Sequence, residues 1–323
     1  MDKKDLRIVF FGTPEFAVES LKRLVEGGYN IVGVVTMPDK PAGRGHQLYQ
    51  SDVKRYAVEQ GLHLMQPVNL KDEAFVTELR ALHAHLQIII AFRMLPEVVW
   101  SMPPMGTFNL HASLLPRYRG AAPINWAVMN GDTETGVTTF FLKHEIDTGD
   151  IIEQRRVPIG RHDNVGQVYD RLMVLGADMV CETVEKIVAG TVQTIPQGQL
   201  VTAGMEPTPA PKIFRETCRI DWSRSTEAIY NHVRGLSPYP AAWTVLRTAD
   251  GIEHTLKIYE TGEPEPFADE SVPAGTIETR RHSLRVACAD GWLPVLSLQQ
   301  AGKRRMTAEE LMRGLSLQGS RLG

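Results

Sequence analysis

Short uninterrupted apolar runs alternate with helix-spaced apolar positions through the first half of the chain. Residues 6–11 and 31–36 are β-branched and aromatic runs bounded by glycine, and between them Phe16, Ala17, Leu21, Leu24 and Val25 recur near the helical period. That order predicts a β-α-β unit. A helix over 52–60, a short strand over 63–65, a helix over 72–82 and a strand over 87–92, apolar after Gln87, continue it. Strands without polar alternation suit a parallel sheet covered by helices on both faces. A further strand is predicted over 107–111, followed by a helix over 123–129 that Pro123 can open. Residues 136–142 and 150–157 read as two strands joined through Gly149, so the sheet is expected to end in an antiparallel hairpin. An amphipathic helix over 165–188 closes this part.

The pattern then changes. Residues 191–211 repeat Gly, Pro and Thr with little periodicity and read as a linker. Beyond them come one helix, 226–234, and short strands near 243–246, 255–259, 275–278, 283–287 and 293–299. Strands at roughly ten-residue spacing suggest a small β-barrel or sandwich. The expected fold is therefore α/β: a Rossmann-like, mostly parallel sheet over 1–190, a linker over 191–211, and a small OB-like barrel domain over 212–323. A length of 323 residues suits two such domains.

Composition adds limits. With 43% hydrophobic and 23% charged residues the chain is globular, which excludes disordered and fibrous classes. The net charge of -3 gives no global basic field, so any nucleic-acid contact must rest on local patches. Cys181, Cys218 and Cys288 lie too far apart for a disulfide framework or a metal motif, and reduced buried thiols are expected. His83 and His85 have no Cys or carboxylate to complete a metal set, so no metal is expected. The apolar run after the charged residues 1–5 is broken by Gly12 and Pro14, too short for a signal-peptide core. No stretch approaches the roughly 20 apolar residues of a membrane span. A cytoplasmic location is expected.

Three places carry candidate chemistry. Gly12 ends the first strand, but Pro14 and Phe16 stand where a dinucleotide turn needs glycines, so it reads as a tight strand-to-helix turn. Asn109 and His111 are two apart on a predicted strand and so share a face at its carboxyl end, where open α/β sheets bind ligands. An amide donor beside an imidazole can clamp an oxyanion. Asp147, in Asp147-Thr148-Gly149-Asp150, is a carboxylate that can stabilise an imidazolium and fix its tautomer; Asp150 can instead cap the following strand. His144 is explained by an exposed loop.

These elements together carry a resemblance. Asn109-x-His111, then Ser113-Leu114-Leu115-Pro116, Arg119-Gly120-Ala121-x-Pro123 and Asp147-Thr148-Gly149-Asp150 resemble, in order and spacing, the formyltransferases that use 10-formyltetrahydrofolate. Residues 11–16, 38–45, 220–222, 235–243 and 302–306 extend the likeness over nearly the whole chain. The resemblance is strongest to members whose acceptor is methionyl initiator tRNA; it implies transfer of the formyl group to the α-amino group through a tetrahedral oxyanion, for translation initiation. An acceptor of the amino-sugar nucleotide class shares the same catalytic motif and is the alternative. By resemblance Asn109, His111 and Asp147 are catalytic. The folate pocket is implied at Ser113, Leu114, Leu115 and Pro116 with Phe92, Met94, Leu95 and Glu145; Ala91-Phe92-Arg93 stands where the family more usually has Ala-Tyr-Gly. Lys40 and Arg44 on the 38–50 loop, with Lys303, Arg304 and Arg305, are implied to meet tRNA. A monomer is expected.

Overall fold

The structure, a computed structural model, describes residues 2–42, 47–202, 205–268 and 272–323. The chain forms two compact units that are not consecutive in sequence. The first comprises Met1–Gly120, Gly136–Val157 and Tyr169–Pro209; the second comprises Ala121–Thr135, Pro158–Val168 and Ala210–Gly323.

A seven-stranded sheet organises the first unit. Its order is Ile151–Pro158, Glu134–Phe141, Thr107–His111, Leu86–Ile90, Arg7–Gly12, Asn30–Val35 and Leu64–Met65. The five strands from Thr107–His111 to Leu64–Met65 pair in parallel, and Glu134–Phe141 pairs antiparallel with Thr107–His111. Burial on both faces explains the apolar runs: Ile8, Val9, Phe10, Phe11, Ile88, Ile89 and Ile90 are all buried. Alternation sends Val9, Phe11 and Ile89 to a cluster with Phe75, Val76 and Leu79 of helix Glu73–Ala81. Close packing sets two glycines. A Cβ on Gly12 would lie 2.7 Å from that of Ala17, so helix Glu15–Glu26 rests directly on the strand end. A Cβ on Gly176 would lie 2.7 Å from Leu110 Cδ2, so helix Val165–Ala189 crosses the strand that carries Asn109 and His111.

Residues 191–211 are more than a linker. Ile195 forms an antiparallel bridge with Ile151, both hydrogen bonds at 2.9 Å, and Gln197–Thr202 is a short helix. Their order comes from bonds to distant loops, which leave no periodicity to read.

In the second unit an antiparallel sheet runs Ile277–Arg280, Ser283–Ala287, Gly291–Gln300, Glu253–Thr261, Ala242–Arg247, Arg321–Leu322. Arg321 also bridges Thr276, and the Leu322 N–H donates to the Gly275 carbonyl at 2.9 Å, so the sheet closes into a barrel. Leu246, Leu256, Ile258, Leu284, Val295 and Leu298 fill it. Helix Thr226–Leu236, capped by Ser225, joins this core. Two segments that precede the expected boundary pack with these residues. A Cβ on Gly235 would lie 2.4 Å from Met129 Cγ, which lets helices Pro123–Met129 and Thr226–Leu236 touch, and Asn125 donates to the Gly235 carbonyl at 2.8 Å. Buried Arg234 donates to the Asp163 carbonyl at 3.0 Å, and Arg161 pairs with Glu227 and Glu263. Among the described residues no helix is long and apolar enough to cross a membrane.

His232, on the same helix, is buried. Burial lowers its pKa; the backbone at Cys218 offsets this in part and the Arg224 charge adds to it. The unfolded chain therefore binds the proton more tightly, so this contribution is complete above the ordinary histidine value of about 6.5 and is lost as pH falls through the lower folded value. Melting curves at pH 8 and pH 5 check this: His232→Leu should lose less stability between them than the wild type, and equal losses would contradict it.

Candidate active site

Asn109 and His111 lie on strand Thr107–His111, two residues apart, at the carboxyl edge of the parallel sheet. Register places Gly12 beside Ile90 and Ile90 beside Leu110, so three strand ends converge there. His111 is 7% exposed, and its Nε2 lies 2.8 Å from the Tyr118 carbonyl. A carbonyl only accepts, so Nε2 carries a proton and Nδ1 is left facing Asp147. The Nδ1 to Asp147 Oδ2 distance is 4.0 Å, within ion-pair range and beyond a hydrogen bond. The same carboxylate oxygen accepts the Gly120 N–H at 3.0 Å. The tautomer expected to be fixed by Asp147 is thus fixed by Tyr118, a backbone partner that sequence does not display. Asn109 is half-buried, and among the described residues nothing hydrogen-bonds its carboxamide. An amide donor, an imidazole with one nitrogen committed, and a carboxylate held apart from it can stabilise an oxyanion and pass one proton.

The loop after His111 is braced from the antiparallel strand. Thr138, opposite His111 in register, donates to the Ser113 carbonyl at 2.6 Å and accepts the Leu115 N–H at 3.2 Å. Gln154 donates to the Leu115 carbonyl at 2.7 Å. Ser113 spends its hydroxyl on the Arg117 carbonyl, and Ser113, Leu114, Leu115 and Pro116 are all buried. Leu115 packs with Phe140 and Ile151.

On the neighbouring strand end, Phe92 meets Phe11 edge-on at 5.7 Å, Leu95 is buried, and Met94 is exposed. Arg93 donates to the carbonyls of Pro67 and Val68, a latch on the adjoining loop. Among the described residues the amides of Phe92 to Leu95 make no hydrogen bond. Glu145 is exposed, and so is His144.

Three residues at the site carried no signal in the sequence. Tyr118 accepts from His111 through its backbone. Thr208 accepts the Tyr118 N–H at 2.9 Å through its hydroxyl and the Arg119 N–H at 3.0 Å through its carbonyl. Gln197, 3% exposed, donates to the carbonyls of Asp147 and Gly149.

The basic residues are dispersed. Lys40 is exposed on a short antiparallel pair, Lys40–Ala42 with Gln47–Tyr49, and Asp39 beside it is fastened by Lys54 and Gln66. Arg44 lies outside the described residues. Arg304 pairs with Glu310 at 2.6 Å, and Arg305 lies over Tyr259 with Glu260 at 4.0 Å, so of the three clustered cations only Lys303 has no carboxylate in range among the described residues. A second basic surface was not evident as a charge run: Arg215 and Arg219 lie over Trp243 at 5.0 and 5.6 Å, and Lys257 pairs across the strand with Trp243.

Comparison with known proteins gives consistent matches. The family model described as formyl transferase matches residues 6–184, and the formyl transferase C-terminal domain model matches 212–316. The methionyl-tRNA formyltransferase of Bacteroides thetaiotaomicron is 59% identical over 318 residues, covering 98% of each chain. That of Phocaeicola vulgatus is 63% identical over 316 residues, covering 97% of each. Among solved structures, the sugar 3N-formyl transferase WlaRD aligns with a TM-score of 0.64 at 18% identity, over 93% of this chain and 99% of that one. HypX from Aquifex aeolicus in complex with tetrahydrofolic acid aligns at 0.60 and 19%, over 95% and 46%. These two likenesses are likenesses of fold.

Gly149 is the tightest point of the loop carrying Asp147: a Cβ there would lie 1.6 Å from the Phe141 carbonyl oxygen. Gly149→Ala should cost about 1 to 3 kcal/mol in overpacking and lower the melting temperature by several degrees. Gly198→Ala, with open space around the added carbon, is the control and should not lower it. Equal melting of Gly149→Ala and wild type would contradict the crowding.

Proposed function

The chain belongs to the formyl transferase family, and on that premise we propose that it transfers the formyl group of 10-formyltetrahydrofolate to the α-amino group of methionyl initiator tRNA, for translation initiation. The observation that carries this reading is the full-length match to relatives named methionyl-tRNA formyltransferase, 59–63% identical across 97–98% of both chains. The likeness to sugar formyltransferases stays at 17–20% identity and concerns the fold.

When bound, the folate supplies the formyl carbon for attack and the nitrogen that leaves. The protein's own groups then have separable tasks. Asn109, with its carboxamide uncommitted, donates to the oxygen that becomes negative, a contribution typically worth ~3 kcal/mol. His111 offers Nδ1, because Nε2 is held by Tyr118. With His111 as the imidazolium, Nδ1–H would donate to the oxyanion, while the Asp147 carboxylate 4.0 Å away stabilises the cation, takes the proton released by the attacking amine and returns it to the departing folate nitrogen. Holding amine and formyl donor together contributes about 7 to 11 kcal/mol more, which makes the two binding surfaces as important as the triad.

The folate pocket is assigned to the unbonded amides at Phe92, Met94 and Leu95, with Ser113 to Pro116 and Glu145. Transfer RNA is assigned to Lys40, Arg44, Lys303, Arg304 and Arg305, joined by the Arg215, Arg219 and Lys257 surface around Trp243. In this reading 1–190 is catalytic, 191–211 connects the domains and braces the Asp147 and Tyr118 loops through Gln197 and Thr208, and 212–323 holds tRNA, in a monomeric cytoplasmic enzyme.

A transfer assay from 10-formyltetrahydrofolate, with methionyl-tRNA and an amino-sugar nucleotide offered side by side, tests it. Formylated methionyl-tRNA is expected, and preference for the sugar would overturn the acceptor assignment. In the same assay Asn109→Ala, His111→Ala and Asp147→Asn should each lower kcat by at least about 10²-fold with the tRNA KM little changed. Near-normal kcat in any one would remove that residue from the chemistry.

A further inference from the structure

Gln197 lies in the stretch whose composition reads as a linker, yet it is 3% exposed and its carboxamide is saturated. Its Nε2 donates to the Asp147 carbonyl at 2.8 Å and to the Gly149 carbonyl at 2.9 Å. Its Oε1 accepts from Arg119 Nη2 at 2.6 Å and from Nε at 3.2 Å. Carbonyls only accept and a guanidinium only donates, so the amide orientation is determined by its neighbours. All four hydrogen-bonding positions of one side chain are used.

The two groups it joins are the two supports of Asp147. One is the loop that bears the carboxylate: Asp147 has φ of 55°, a left-handed conformation that a non-glycine residue keeps only where its surroundings hold it, and Gly149 sits hard against Phe141. The other is Arg119, the residue before Gly120, whose N–H holds Asp147 Oδ2 at 3.0 Å. The same stretch reaches His111 as well, since Thr208 fixes the Tyr118 and Arg119 amides beside the carbonyl that His111 donates to. From this arrangement we infer that Gln197 is a positioning residue for the formyl transfer reaction, setting Asp147 at its distance from His111 Nδ1.

The inference rests on the assignment of Asp147 to the chemistry. Gln197→Glu keeps the Arg119 contact and replaces both donations with repulsion between oxygens. Gln197→Met keeps the side-chain length and removes every hydrogen bond. Misplacement of a reacting group by about 1 Å can cost 10²-fold, and a loosened Asp147 belongs in that range.

Steady-state kinetics on the full chain, with melting temperature measured for each variant, tests it. Both variants should lower kcat about ten- to a hundredfold, with KM for 10-formyltetrahydrofolate and for methionyl-tRNA within about twofold of wild type. Introduced into Asp147→Asn, Gln197→Glu should change kcat less than about threefold, because the group it positions is already disabled. Wild-type kcat in a folded Gln197→Glu protein, or a full loss multiplied onto that of Asp147→Asn, overturns the inference while leaving Asp147 in place. Near-normal kcat in Asp147→Asn alone instead overturns the assignment on which it rests. Should Gln197→Met fold poorly, Gln197→Glu, which retains its arginine partner, carries the test.

Discussion

The hydrogen bond from His111 Nε2 to the Tyr118 carbonyl, 2.8 Å long and buried, is the constraint on which the site depends. It commits one imidazole nitrogen to the protein and turns the other toward Asp147. It also requires the chain to return after Ser113-Leu114-Leu115-Pro116 so that a backbone oxygen arrives over the end of its own strand. Much of the local structure serves that return. Thr138 and Gln154 brace the turn from one side and Thr208 from the other, each bond made to backbone groups that the loop leaves without helix or strand partners.

The fold supplies the rigidity this needs. Strand Thr107–His111 is buried between parallel and antiparallel neighbours, and Gly176 lets a helix lie directly on Leu110. The antiparallel addition of Glu134–Phe141 has a chemical consequence: it sets Thr138 across from His111 and then leads the chain into the loop that carries Asp147. One strand thus delivers both a brace and a reacting group. Asp147 is held by the Gly120 N–H at its carboxylate and by the Gln197 side chain at its carbonyl, and kept 4.0 Å from the imidazole, near enough to stabilise a cation and far enough to leave its proton available.

The parts legible in sequence were those with a period or a motif. Phe10, Phe11 and Ile88 to Ile90 announced a doubly covered sheet because no polar residue interrupts them, and Asn109 with His111 announced a shared face because strands repeat every two residues. Asp147 was legible from its glycine-containing turn. Tyr118 was not, since it acts through a carbonyl that every residue has. Gln197 and Thr208 were hidden for a related reason: their stretch is ordered by bonds to loops far away in the chain. The membership of Ala121–Thr135 and Pro158–Val168 in the second unit was likewise set by long-range contacts of Arg161, Arg234 and Gly235, which hydrophobic patterning does not register.

The most direct measurement of the central constraint is the nitrogen-15 NMR spectrum of the His111 imidazole, assigned by its disappearance in His111→Gln and recorded where the ring is neutral. The hydrogen bond to Tyr118 predicts the tautomer protonated at Nε2, with Nδ1 bare toward Asp147. A ring protonated at Nδ1 would contradict it, and with it the division of labour between Tyr118 and Asp147.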